Sequence, residues 1–241
     1  MANVLAKDRG TEGVVISTGN SEIDKKMGGG IPAGSLTLIE GQSDAGKSVV
    51  SQQMIWGSLN NKFRTVLYTT ENTVRSLLKQ MESLSLDISD HFLLGWFRIY
   101  PIQATKAGLT PSQVFQTILR SIERHDAFDL IVIDSLTTFV THTSVEETIS
   151  FFEECKNLCN QGRSIVATTH SYAFQESTLI RIRSMCDAHL RLRIEEVGDQ
   201  LVKILEVAKV RGADKNTGNI ISFDVEPGIG MRIIPVSKAK A

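Results

Sequence analysis

The sequence has 241 residues, with 26 Lys and Arg against 27 Asp and Glu and a net charge of −1. That length suits one large α/β domain with a sizeable core, and the near balance of charge excludes a bulk attraction to nucleic acid or anionic membrane. The longest apolar stretches are strand-sized, far below the ~20 residues of a spanning helix. Three cysteines without an apolar leader after Met1 fit a reducing cytoplasm.

Residues 1–13 are polar and mixed in charge and read as a flexible tail, after which Val14-Val15-Ile16 offers a short apolar contact. Asn20 to Met27 makes two helical turns with Ile23 and Met27 on one face, and Gly28-Gly29-Gly30-Ile31-Pro32 ends them. The apolar run Ser35 to Glu40 then leads into Gly41-Gln42-Ser43-Asp44-Ala45-Gly46-Lys47-Ser48, and Val49 to Asn60 is compatible with a helix. This is G-x-x-x-x-G-K-[ST] between a strand and a helix, the context the motif requires. Triphosphate is polyanionic, so backbone N–H groups at a helix N-terminus hold it where glycine lets the chain approach closely. Gly41 and Gly46 meet that demand, Lys47 reaches the β- and γ-phosphates, and the Ser48 hydroxyl enters a Mg²⁺ shell. The expected nucleotide contacts run from Gly41 to Val49.

Thr65 to Thr70 is a β-branched and aromatic run of strand length, ending at Glu71. Val74, Leu77, Leu78 and Met81 have the spacing of a half-buried helix from Thr73 to Leu84. Trp96 to Tyr100 reads as a strand closed by Pro101. Thr110-Pro111-Ser112-Gln113 opens a helix with a capping box and a proline at its first position. Asp129 to Asp134 is a continuous apolar run ending in a carboxylate, as in a parallel strand buried on both faces. Ser144 to Glu147 is a second capping box; its helix carries Ile149, Phe152, Cys155 and Cys159 on its apolar face and stops at Gly162. Ser164 to Thr169 is another buried strand. From Ala188 the pattern becomes alternating strands: one up to a turn at Val197 to Gln200, a second over Leu201 to Val210, then Ile220 to Val225 and Met231 to Ile234. The expected fold is a doubly wound α/β sheet, mostly parallel, with an antiparallel C-terminal edge.

Asp134 is the second anchor of a nucleotide site, a strand-end carboxylate that holds Mg²⁺ through water if its strand lies next to that of the phosphate loop. Glu71, at another strand end, is placed to orient or deprotonate an attacking water. His142 and His170 follow core strands and are candidates for sensing the γ-phosphate, His170 the better placed. Cys155 and Cys159 read as buried small hydrophobes rather than metal ligands, because nothing nearby completes a ligand set.

Thr18 to Asp24, Gly28 to Ser35, the phosphate loop, Glu71, the Asp134 strand and Lys209-Val210-Arg211-Gly212 occur in an order that resembles the KaiC-type branch of the RecA-like ATPases, over residues 14–235. The short length and the Gln42-Ser43-Asp44 filling of the loop are similar to the archaellum accessory proteins of that branch. The resemblance implies a single RecA-like P-loop NTPase domain over residues 14–235 between the N-terminal tail and a C-terminal tail of residues 236–241. It implies ATP and Mg²⁺ as cofactors and self-association into a hexameric ring. It further implies docking to the motor ATPase and membrane platform protein of the archaeal motility motor, in the cytoplasm at the inner face of the cell membrane without insertion into it. By position, Glu71 takes the place of the family's water-activating glutamate, Asp134 the metal role, and Lys209 and Arg211 the places of residues that reach a neighbour's γ-phosphate. Two departures point to slow or absent hydrolysis. Asn72 stands where many members carry a second glutamate, and Asp44 brings a carboxylate to a loop that faces phosphate.

A DNA-dependent recombinase of the same fold would present cationic or glycine-rich loops after the Asp134 and Thr169 strands. Thr137 to Thr143 has no Lys or Arg, and Ser171 to Thr178 carries one acid, so no nucleic acid is expected as a partner. An autokinase reading rests on hydroxyls too common to discriminate. Phe139, Tyr172 and Phe174 read as packing or protein-docking aromatics.

Overall fold

The computed structural model describes residues 13–103, 108–198, 200–213 and 218–234. Apart from Gly13, the two expected tails lie outside the described residues.

A two-stranded antiparallel sheet of β1 (Val15–Ile16) and β2 (Ile31–Pro32) brackets α1 (Ser21–Lys26). Asn20 caps α1, accepting from the N–H groups of Glu22 and Ile23, while Ile23 and Met27 are buried as their spacing requires. The main chain of elements is β3 (Leu36–Gly41), α2 (Lys47–Asn60), β4 (Thr65–Thr69), α3 (Val74–Ser83), α4 (Ser89–Leu93), β5 (Phe97–Pro101), α5 (Pro111–Arg124), β6 (Leu130–Asp134), α6 (Thr137–Val140), α7 (Val145–Asn160) and β7 (Ser164–His170). A 3₁₀ turn (Ser171–Ala173), α8 (Glu176–Met185), β8 (Ala188–Val197), β9 (Gln200–Val210), β10 (Ile220–Glu226) and β11 (Gly230–Ile233) complete it.

The strands form one nine-stranded sheet in the order β11-β10-β9-β8-β3-β7-β6-β4-β5. From β8 to β5 the pairs are parallel, and from β8 to β11 they are antiparallel. Each central strand alternates between two apolar layers. Leu130 and Val132 of β6 enter one with α2 and α3, Ile131 and Ile133 the other with α5 and α7. Burial on both faces is why these strands read as unbroken apolar runs, each fully buried Ile or Val contributing about 1.5–3 kcal/mol. Cys155, Cys159 and Cys186 are packed in the second layer, where burial pushes the thiols of Cys159 and Cys186 up to about 12. Both foreseen capping boxes form, at Thr110 with Gln113 and at Ser144 with Glu147.

One expectation fails. The Asp134 strand β6 is not beside the phosphate-loop strand β3, because β7 lies between them. The geometry still closes because α2 packs across both β7 and β6, so its first turn lies above the end of β6. Three helices, α4, α6 and α8, arise where no helix was expected. For α8 the reason is local: its N-cap residue Gln175 makes no side-chain cap, and Ile180 is 56% exposed while Leu179 and Ile182 are buried, so no single apolar stripe marks it.

Candidate functional site

The segment from Gly41 to Ser48 links β3 to α2. Gly46 has a left-handed backbone (φ 95°) and turns the chain so that Lys47 becomes the first residue of α2. Gly41 is glycine for a different reason than phosphate approach. A Cβ there would stand 2.2 Å from the Leu192 carbonyl oxygen, so close packing of β8 against β3 excludes any side chain. Among the described residues, no hydrogen bond takes up the backbone N–H groups of Ser43, Asp44, Ala45 or Gly46.

Lys47 is 7% exposed, yet no carboxylate lies at ion-pair distance among the described residues. Its Nζ instead donates to the carbonyls of Gln42 (2.6 Å) and Gly41 (3.3 Å) and meets His170 Nδ1 at 3.2 Å. Burial lowers its pKa, against the attraction of Asp134, Glu71 and Asp44. A buried ammonium without its own counter-ion, under a loop of free N–H donors, fits a bound polyanion.

Asp134 ends β6 at 4% exposure. Its Oδ1 accepts from Thr168 Oγ1 (2.5 Å) and Ser48 Oγ (3.2 Å). Burial raises its pKa, and the two hydroxyls only partly offset this. A hydroxyl and a carboxylate in contact, with no cation bonded to the carboxylate among the described residues, form a hard-oxygen pair of the kind Mg²⁺ takes, so Ser48 and Asp134 fit that ion. Glu71 follows β4, and its Oε1 accepts from Ser135 Oγ at 3.3 Å, which brings it beside the end of β6. The backbone N–H of Thr70 bonds the Asp134 carbonyl at 3.0 Å, locking the two strand ends together. Asp44 has a left-handed backbone (φ 59°) and an exposed side chain.

His170 ends β7 opposite Gly41 in the sheet register, stacks on Tyr172 with ring centroids 5.0 Å apart, and lies 3.5 Å from Ser43 Oγ. Burial holds its pKa below the usual histidine range, with Lys47 adding to the effect. His142 is exposed after α6 and takes no part in this cluster. Phe139 is buried and Phe174 packs on the second apolar layer, whereas Tyr172 is 70% exposed.

Lys209 and Arg211 are elsewhere. Ala188 pairs both with Thr37 of β3 and with Val210 of β9, so the two cations lie at the end of the sheet opposite the phosphate loop, roughly 13 Å of strand away. β9 stops at Val210, and Arg211 begins the following turn. Lys209 Nζ donates to the Arg183 carbonyl (2.7 Å) and Arg211 Nη2 to the Ser184 carbonyl (3.1 Å), so both sit at the C-terminal end of α8, the favourable end for cations.

One residue of the site and one buried acid near it escaped the sequence. Thr168 was visible only as a strand residue. Glu40, read as the end of an apolar run, is 0% exposed and bound by Arg183 and His189. Only the charge of Glu40 at the end of an otherwise apolar run could have marked it, and nothing local marks Thr168.

The family described as ATPase: KaiC matches residues 16–238. The archaeal flagellar ATP-binding protein FlaH of Sulfolobus acidocaldarius is 33% identical over 95% of this chain and 100% of its own. The protein of that name from Methanocaldococcus jannaschii is 29% identical over 90% of this chain and 94% of its own. The crystal structure of the M. jannaschii flagellar accessory protein FlaH superimposes with a TM-score of 0.80 at 27% identity, covering 92% of this chain and 98% of that one. With its mostly parallel sheet, antiparallel C-terminal edge and loop from Gly41 to Ser48, the chain belongs to the KaiC family of ATPases.

Proposed function

We propose that the protein is a Mg-ATP-binding regulatory component of the archaeal motility motor, a single domain over residues 14–235 whose nucleotide occupancy controls ring assembly and docking to the motor ATPase and membrane platform. The observation that carries the nucleotide site is Lys47, a buried ammonium held by two carbonyls and an imidazole below four unpartnered backbone N–H groups. The names of the relatives support ATP binding and the motor context. Among the described residues no helix is long and apolar enough to cross a membrane.

In this reading the N–H groups of Ser43 to Gly46 and the Lys47 ammonium hold the phosphates, while Ser48, and Asp134 through water, hold Mg²⁺, which neutralises phosphate charge when bound. Glu71 accepts the proton of the attacking water. Hydrolysis is slow because Asn72 supplies no second carboxylate and Asp44 adds negative charge to the loop. Lys209 and Arg211 lie at the end of the sheet opposite this chain's own loop; in this reading they serve the γ-phosphate of a neighbouring subunit, and ATP favours the assembled form.

Titration of Mg-ATP into the wild type and Lys47→Ala tests the site. The substitution weakens binding at least tenfold, about 1.4 kcal/mol. An unchanged titration overturns the reading.

A further inference from the structure

The inner side of α2 carries a polar group that the packing of the fold does not account for. Gln52 is 1% exposed, and among the described residues neither its amide oxygen nor its amide nitrogen has a hydrogen-bond partner. The residues beside it on the helix are settled. Ser51 Oγ donates to the Ser48 carbonyl at 2.9 Å, and Gln53 Nε2 donates to the Thr18 carbonyl at 2.9 Å. A buried, unpaired amide is destabilising, and a methionine of similar length would fill the same place without that cost. The unpartnered hydroxyls of Thr37, Thr65 and Ser58 lie near the starts of β3 and β4 and in the last turn of α2, away from the phosphate loop. The unpartnered Glu40 Oε2 belongs to a carboxylate already held by Arg183 and His189.

Helix geometry gives the direction of the Gln52 side chain. It stands four residues after Ser48, so the two share one face of α2. Ser48 Oγ shows where that face points, because it donates to Asp134 Oδ1 at the end of β6, at 3.2 Å. Side chains on a helix lean towards its N-terminus and cover the preceding turn. The Gln52 amide therefore lies under the Ser48–Asp134 pair, in the layer lined by Leu67, Val132 and Val166, which offer it no polar partner. A divalent cation at that pair keeps several of its waters, and those waters are donors that need acceptors.

We propose that Gln52 is a positioning residue of the cation site: its amide oxygen accepts from a water of the bound cation beneath Ser48 and Asp134, and so holds the hydrated ion against the pair. The inference rests on the Mg²⁺ reading of that pair given above. The amide gains its partner only with the cation, so the protein without ligand carries it at a cost in stability.

The test compares Gln52→Met with the wild type and with Gln53→Met. ATP binding is measured calorimetrically against free Mg²⁺ concentration and in EDTA, and Tm is measured without ligand. Gln52→Met raises the Mg²⁺ concentration for half-maximal ATP binding roughly tenfold or more, leaves binding in EDTA unchanged, and melts no lower than the wild type. Gln53→Met loses its bond to the Thr18 carbonyl, so it melts lower but keeps the wild-type Mg²⁺ requirement. An unchanged Mg²⁺ requirement in Gln52→Met overturns this inference and leaves the metal reading standing. So does an equal loss of ATP binding with Mg²⁺ and in EDTA, which would make the amide a packing residue. Wild-type binding that is the same with Mg²⁺ and in EDTA overturns the metal reading, and this inference falls with it.

Discussion

Glu40 and Asp134 both sit where parallel strands end, at the C-terminal ends of β3 and β6, with 0% and 4% exposure, and they are kept there in opposite ways. Glu40 Oε1 accepts from Arg183 Nη2 (2.6 Å) and Nε (3.0 Å) and from His189 Nε2 (2.9 Å), with Arg191 at 3.5 Å. Burial works to raise its pKa, but His189 and Arg183 outweigh it and hold the carboxyl below the usual range. Among the described residues the Asp134 carboxylate bonds the hydroxyls of Thr168 and Ser48 and no cation lies at ion-pair distance; burial raises its pKa, with Lys47 a lesser opposing charge. A buried carboxylate is structural when its counter-charge folds in with it. It is a ligand site when the counter-charge is left to arrive from outside.

The largest effect that tests this contrast is on stability. Glu40→Gln removes the buried anion that Arg183 and His189 share, leaving Arg183 only its exposed partner Glu176, and costs about 3 kcal/mol, a drop of roughly 6–12 °C in Tm, while Mg-ATP affinity changes little. Thermal and urea unfolding measure it. A loss below about 1 kcal/mol would make the Glu40 cluster no more structural than a surface ion pair.

Asp134→Asn should do the reverse. The amide keeps an oxygen for Ser48 and Thr168 but carries no buried charge, so stability stays level or rises by about 1 kcal/mol. Mg²⁺-dependent ATP affinity falls tenfold or more, about 1.4 kcal/mol. Titrations with Mg²⁺ and with EDTA separate the two, and an equal loss in both would remove Asp134 from the metal site.

pH sharpens the contrast further, with a smaller change. The folded pKa of Glu40 lies below its reference value of 4.5, so its stabilisation is complete above pH 4.5 and is lost as pH falls through the folded value. Asp134 is shifted above its reference value of 3.8, so its ionised form costs stability at neutral pH and that cost vanishes towards pH 3.8. Acid unfolding of Glu40→Gln is therefore flatter than wild type below pH 4.5, and any gain of Asp134→Asn at pH 7 disappears by pH 3.8. Unfolding curves across this range check both signs.

The smallest effect on stability lies at the far end of the sheet, where a third acid, Asp187, is paired by Lys156 at 2.6 Å with Arg211 at 3.8 Å. The Arg211 side chain is 57% exposed, so Arg211→Ala costs less than about 0.5 kcal/mol of stability. If ATP promotes self-association as proposed, the same substitution weakens it, followed as solution mass against ATP concentration. Identical curves would leave Arg211 as a cap on α8.

The sequence by itself determined what local chemistry carries. The glycines and Lys47-Ser48 mark the phosphate loop, the boxes at Thr110 and Ser144 mark helix starts, and the apolar runs ending at Asp134 and Thr169 mark buried strands. Only the tertiary structure decided the sheet order that inserts β7 between β3 and β6, and with it which distant groups meet. Ser48 reaches Asp134 across 86 positions, Lys47 reaches His170 across 123, and Glu40 finds Arg183 and His189 across 143 and 149. No periodicity spans such separations. Strand order depends on how whole layers bury their apolar faces, so the identity of a charged partner is settled only when those layers close.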